Sequence, residues 1–194
     1  MKLEIKPTNE LSANEIEQVF DLQKEVYRDR SLDFDFWKRK LTSKYHGEFN
    51  KMIQINISLN HIIDGYTIYT EPILFEKSYW RKIIESAMSK RLGEIRVQSY
   101  VDMINFLTSN PKESGIYSIA ELWEKDRHII ALTSRFNLTY LQDLNLARGL
   151  MKTIFRDSDF SIGKNERGVY IERQTSHSPE IRKSYLFSNY HPTI

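Results

Sequence analysis

The sequence predicts an α/β chain of the α+β kind, opening strand-helix-helix-strand-strand, with a helical middle and a C-terminal helix and β-hairpin. Three observations carry this. From Met52 to Leu59 apolar and polar residues alternate, so Ile53, Ile55, Ile57 and Leu59 share one face and Gln54, Asn56 and Ser58 the other, the period of a half-buried strand. After a short polar break, Gly65 leads into Tyr66, Ile68 and Thr70 on one side, which completes an antiparallel hairpin with unequal faces. Upstream, Ile16, Val19, Phe20, Gln23, Val26 and Tyr27 recur at helical spacing behind Ser12-Ala-Asn-Glu15, a capping box in which serine and glutamate each satisfy a free backbone amide.

The remaining elements follow in chain order. Leu3 to Lys6 alternates and stops at Pro7, a short strand. A second helix fits Phe34 to Ser43, with Phe34, Trp37 and Leu41 inward; Asp33 and Asp35 at its start offset free amides. After Pro72, Trp80, Ile83, Ile84, Ala87 and Met88 form one helical stripe, and Tyr100, Val101, Ile104 and Leu107 a second that Asn110-Pro111 stops. Ser118-Ile-Ala-Glu121 reads as a second capping box, although Ile116 to Leu122 equally fits a strand. Leu138 to Phe155 predicts a long helix. Phe160 to Arg173 predicts a hairpin, with Gly163 and Gly168 bracketing a polar tip. From Thr175 the chain is polar and is expected to be loosely attached until Tyr185-Leu-Phe187.

At 194 residues the chain suits one domain, 1–194, divided into an α/β part (1–75) and a mainly helical part with its hairpin (76–194). Charged residues make up 28% with both signs interleaved, and the net charge is only +2, so composition gives little support to a polyelectrolyte that binds nucleic acid through bulk charge. There is no cysteine, which excludes disulfides, thiolate catalysis and cysteine-based zinc sites. The five histidines show no paired spacing suited to a metal, so no metal is expected. No apolar run approaches the ~20 residues of a membrane span, and the N-terminus lacks the apolar core of a signal peptide; a cytoplasmic protein without membrane partners is the expectation.

The opening order, with Phe36-Trp37-Lys38 in the second helix and Asn60-His-Ile-Ile-Asp-Gly65-Tyr-Thr-Ile-Tyr69 entering the third strand, resembles the start of a GNAT-type acyltransferase. The match covers residues 1 to 75. The resemblance implies acyl-CoA as co-substrate and a small-molecule or peptide amine as acceptor. In that family a basic, glycine-rich loop opening the third helix holds the acyl-CoA pyrophosphate on backbone amides, because a helix N-terminus favours an anion. No such loop is visible; the nearest candidate is Arg148-Gly149, inside the long helix, where amides are already bonded to carbonyls. The resemblance would make Ile116 to Trp123 the fourth strand and Glu121 the general base for the amine, with Tyr185 or Tyr190 returning a proton to the thiolate. On the residues alone, Glu121 reads better as a capping residue and the tyrosines as packing residues.

Two other classes stay open. Residues 97 to 173 read as helices followed by a hairpin, the order of a winged helix, in which Ser118 to Ser134 and Leu138 to Phe155 pair and Lys164, Arg167 and Arg173 contact DNA phosphates. A protein-binding factor without catalysis has no sequence signature of its own.

Overall fold

The computed structural model describes residues 2–28, 33–124, 135–155, 160–175 and 178–191. Two compact units emerge: residues 1–71 with 83–106, and residues 72–82 with 107–194.

In the first unit β1 (Lys2–Pro7), β2 (Lys51–Ile57), β3 (Ile63–Thr70) and the second half of β5 (Ser78–Met88) lie side by side, all antiparallel. Helices α1 (Ala13–Tyr27) and α2 (Phe34–Thr42) contribute Val19, Leu22, Trp37 and Leu41 to one core with Ile53, Ile55, Tyr66, Ile68 and Ala87. The register explains this grouping: Ile55 faces Tyr66 and Ile53 faces Ile68, so the alternation seen in sequence points one face into the helices. The expected capping box is present, the Glu15 amide donating to Ser12 Oγ at 3.3 Å and the Ser12 amide to Glu15 Oε2 at 2.8 Å. Asp33 caps α2 by accepting from the amides of Asp35 and Phe36.

The polar face of the hairpin is also covered. Gln54 and Asn56 are only 1% and 3% exposed, and Gln54 Nε2 donates to the Met103 carbonyl of α3 (Arg96–Thr108) at 3.3 Å. Leu59 does not join the buried face. The strand ends at Ile57, the Ser58 amide bonds the Ile62 carbonyl, and Leu59 sits in the turn, 91% exposed.

Residues 80–88 correct the expected helix: they lie in β5, an 11-residue strand. The register gives the reason. Ile68 faces Glu85 but Tyr69 faces Ile83, so Ile84 is an extra residue that flips the phase of the strand. Apolar residues before and after this bulge therefore fall at spacings that imitate a helix.

The second unit is built on β6 (Ile116–Trp123), β10 (Ser178–Ser188), β9 (Val169–Thr175) and β8 (Ser161–Lys164), adjacent in that order, with β7 (Thr139–Tyr140) against β10 and β4 (Ile73–Phe75) against the start of β5. A single helical turn, α4 (Pro111–Ser114), precedes β6. The 160–173 hairpin is present as β8–β9. Ser118–Glu121 is strand and not a helix cap: the Ser118 amide donates to Asn189 Oδ1 at 2.8 Å and its hydroxyl to the Leu107 carbonyl at 3.2 Å. The helix expected from Leu138 is shorter, α5 (Leu144–Ile154), because Asp143 accepts from the amides of Asn145 and Leu146 and starts it there. The tail beyond Thr175 is not loose. It forms β10 between β6 and β9, and it looked like a tail because Ile181 and Arg182 are exposed while Ser184 to Ser188 are buried.

Strand β6 also removes the helical pair that a winged helix needs; the rest of the expected helix, residues 125–134, lies outside the described residues. Two of the hairpin's three cations are engaged within the chain, Lys164 Nζ donating to the Gln142 carbonyl at 2.6 Å and Arg173 donating to Glu121.

Candidate functional site

Where β5 hands over to α3, residues 89–95 form a tight turn of short helix. Its geometry is set by Ser89, whose hydroxyl accepts from the Arg91 amide and from Arg91 Nε, each at 3.1 Å, and by Gly93, at φ 54° and ψ −126°, a backbone region that L side chains avoid. Lys90, Arg91 and Arg96 put three cations at the head of a 13-residue helix. A helix N-terminus flanked by cations attracts anions through its free amides and its dipole.

The protein's own acids partly occupy this turn. Ser89 Oγ lies 3.3 and 3.4 Å from the two Glu25 carboxylate oxygens of α1, the Lys90 amide donates to the same carboxylate, and Lys90 Nζ donates to the Glu25 carbonyl at 3.2 Å. Arg91 Nη2 donates to the Ile63 carbonyl at 3.2 Å and lies 3.4 Å from Asp64 Oδ1. The turn that opens α3 is basic and holds a single glycine, Gly93, where the resemblance implies a glycine-rich loop. Lys90-Arg91-Leu92-Gly93 was legible, but only once residues 80–88 are a strand does it become a strand-to-helix junction.

Glu85 stands on β5, four residues before Ser89, about 13 Å away. Tyr66 OH donates to its carboxylate in a short hydrogen bond. Burial pushes the Glu85 carboxyl above its ordinary value, opposed by the Tyr66 hydrogen bond and by Lys40 and Lys51. Burial likewise pushes Tyr66 up, and holds Lys51 down at about 8 with help from Lys40. The sequence reading missed Glu85 because it fell inside the expected helix.

The second unit holds the residues singled out from sequence. Glu121 lies on β6, and both carboxylate oxygens accept from Arg173 Nη2, at 3.0 and 2.9 Å; Lys82 Nζ is 3.7 Å away. Arg173 also stacks 4.8 Å from the Phe155 ring centre. Burial holds the Lys82 amine down at about 8 against the pull of Glu121. Tyr185 is 2% exposed, and its hydroxyl accepts from Asn165 Nδ2 at 2.9 Å. In the β6–β10 register Glu121 faces Leu186 while Tyr185 faces Leu122, so their side chains leave opposite faces of the sheet and are not brought together. Tyr190 packs with Trp80 and Tyr117, ring centres 5.4 and 5.0 Å away. Arg148 is exposed on α5, and Gly149 lies mid-helix against the Phe75 ring, where an added Cβ would come within 2.4 Å.

Among the described residues no group of three or more histidine, cysteine, aspartate or glutamate side chains could hold a metal ion, and no helix is long and apolar enough to cross a membrane.

No family model and no curated protein matches the chain. Solved structures do. Tetrahymena GCN5 matches over 100% of this chain and 99% of its own, at 10% identity and a TM-score of 0.58. The ribosomal-protein-S18-alanine N-acetyltransferase of Escherichia coli matches over 96% and 92%, at 9% identity and a TM-score of 0.51. NAA60 of Arabidopsis thaliana, solved in complex with acetyl-CoA, matches over 96% and 97%, at 8% identity and a TM-score of 0.50. The likeness extends well past residue 75. The chain has the fold of the GNAT-type acyltransferases.

Proposed function

We propose that this protein is an acyl-CoA-dependent N-acyltransferase acting on a small-molecule or peptide amine. The observation that carries the reading is the β5–α3 junction: a cationic turn with a positive-φ glycine at the head of a 13-residue helix, in a chain of GNAT-type fold. Its residues suit a pyrophosphate. Lys90, Arg91 and Arg96 supply charge, and the helix head supplies amides. When bound, acyl-CoA would supply the thioester carbonyl that an amine attacks.

A base must take the proton that the attacking amine loses. Glu85 fits this role better than Glu121. Its carboxyl titrates above the ordinary range, which makes the carboxylate a stronger proton acceptor, and Tyr66 fixes its orientation. Glu121 has both oxygens bonded to one guanidinium beside a lysine, an arrangement that holds the carboxylate in place. We therefore assign Glu121 to the second unit's interior, and Arg148 and Gly149 to packing and surface on α5.

The test is calorimetric titration of the full chain with acetyl-CoA and a longer acyl-CoA, alongside thermal unfolding. A ligand that binds the folded state raises its stability by mass action. Neither heat nor a thermal shift at millimolar ligand would retire the enzyme reading.

A further inference from the structure

The first unit holds a second feature, away from the β5–α3 turn. At the end of the sheet where β2 begins, a cleft of about 190 Å³ opens among Thr8, Ser43, Lys44, Asn50, Lys51 and Glu71. Lys51 is level with Thr70, whereas Ser89 bonds Asp64 at the far end of β3; six residues of strand separate them, about 20 Å. The cleft is therefore remote from the β5–α3 turn. At about 190 Å³ it is smaller than the ~300–1,000 Å³ of typical small-molecule pockets.

Lys51 is 7% exposed. Its ammonium donates to the Lys40 carbonyl in the last turn of α2, which offsets the negative end of that helix and uses one of three N–H bonds. Among the described residues its ammonium has no other hydrogen-bond acceptor and no carboxylate within ion-pairing distance. Glu71 lines the same cleft, but the Asn50 side chain holds its carboxylate at 2.8 Å. A buried cation with spare donors is unfavourable unless something completes its shell.

We propose that this cleft binds a small oxyanion, carrying a carboxylate or a phosphate, seated on the Lys51 ammonium with Lys44 at the rim. The charged groups around the amine are Lys40 from α2, Glu85 from β5, and Lys44, Glu10 and Glu71 along the cleft. An anion shifts the balance toward the protonated amine. Since the empty site holds that amine at about 8, binding takes up a proton above that pH, and affinity falls by up to about tenfold per pH unit there.

The experiment titrates the full chain with inorganic phosphate and with acetate, each against chloride at equal ionic strength, following thermal midpoint and heat at several pH values. Saturable stabilisation by either anion, weakening above pH ~8 and reduced at least about tenfold in Lys51→Met, supports the site; the tighter anion names its class. Lys44→Met should weaken binding less. The pH dependence in the unaltered protein tests the site even if Lys51→Met fails to fold. Equal shifts in chloride, or unchanged binding in Lys51→Met, overturn it.

Discussion

Lys82 offers the sharpest quantitative test of how the second unit is held together. Its side chain is 4% exposed, 3.7 Å from Glu121, and Arg173 bonds the same carboxylate. Burial holds its amine at about 8 against an ordinary 10.5. At ~1.4 kcal/mol per pKa unit, the protonated amine costs the folded state about 3 kcal/mol. The sign follows from linkage: between pH 8 and 10.5 the unfolded chain keeps a proton that the folded chain has released, so stability rises with pH across this window. Replacing the cation by an apolar side chain of similar length, Lys82→Met, should raise stability at pH 7 by up to about 3 kcal/mol and remove the part of the rise that Lys82 contributes. Urea unfolding followed by circular dichroism at pH 7 and pH ~9.5 reads both effects. The wild type should gain about 2 kcal/mol more than the variant between them, because Lys51, also held at about 8, contributes equally to both. A variant less stable than wild type at pH 7 would refute the reasoning, because it would mean that the attraction of Glu121 exceeds the cost of burying the amine.

Three further outcomes are expected. Glu85→Gln keeps an oxygen for Tyr66 but removes the base, so turnover should fall about 10²–10⁴-fold with acyl-CoA affinity unchanged; wild-type rates should rise with pH through a carboxyl pKa above the ordinary range. Glu25→Gln removes an internal carboxylate from the β5–α3 turn, so acyl-CoA should bind several-fold more tightly, and equal titration curves would show that Glu25 does not compete with the ligand. Ile55→Asp and Asn56→Asp should both destabilise, the first by several kcal/mol and the second by about 2, since both positions are buried; denaturant midpoints give the comparison.

Local signals carried the first third of the chain. The capping box at Ser12, the cap at Asp33 and the alternation of Ile53, Ile55 and Ile57 each operate within a few residues, so the elements they specify were legible and their order supported the GNAT-type resemblance. Period and capping are properties of the chain itself. What failed was whatever depended on a neighbour. Residues 83–88 pair with β3 through a bulge that broke their alternation, β10 gains its place from the strands on either side, and Ser118 to Glu121 satisfies the pattern of a helix cap yet bonds as a strand.

The candidate site divides along the same line. Lys90, Arg91 and Gly93 stood in the sequence, but their meaning depended on a strand entering and a helix leaving, and Glu85 became a candidate base only when β5 aimed it at Tyr66. Glu121 was singled out from sequence, yet its partners Arg173 and Lys82 lie 52 and 39 residues away along the chain. Sequence determines which residues can form a helix cap or a strand face, because those interactions are short-range. Which carboxylate is buried beside a hydroxyl and which is locked by a guanidinium is settled by contacts between distant segments, and only the tertiary structure decides them.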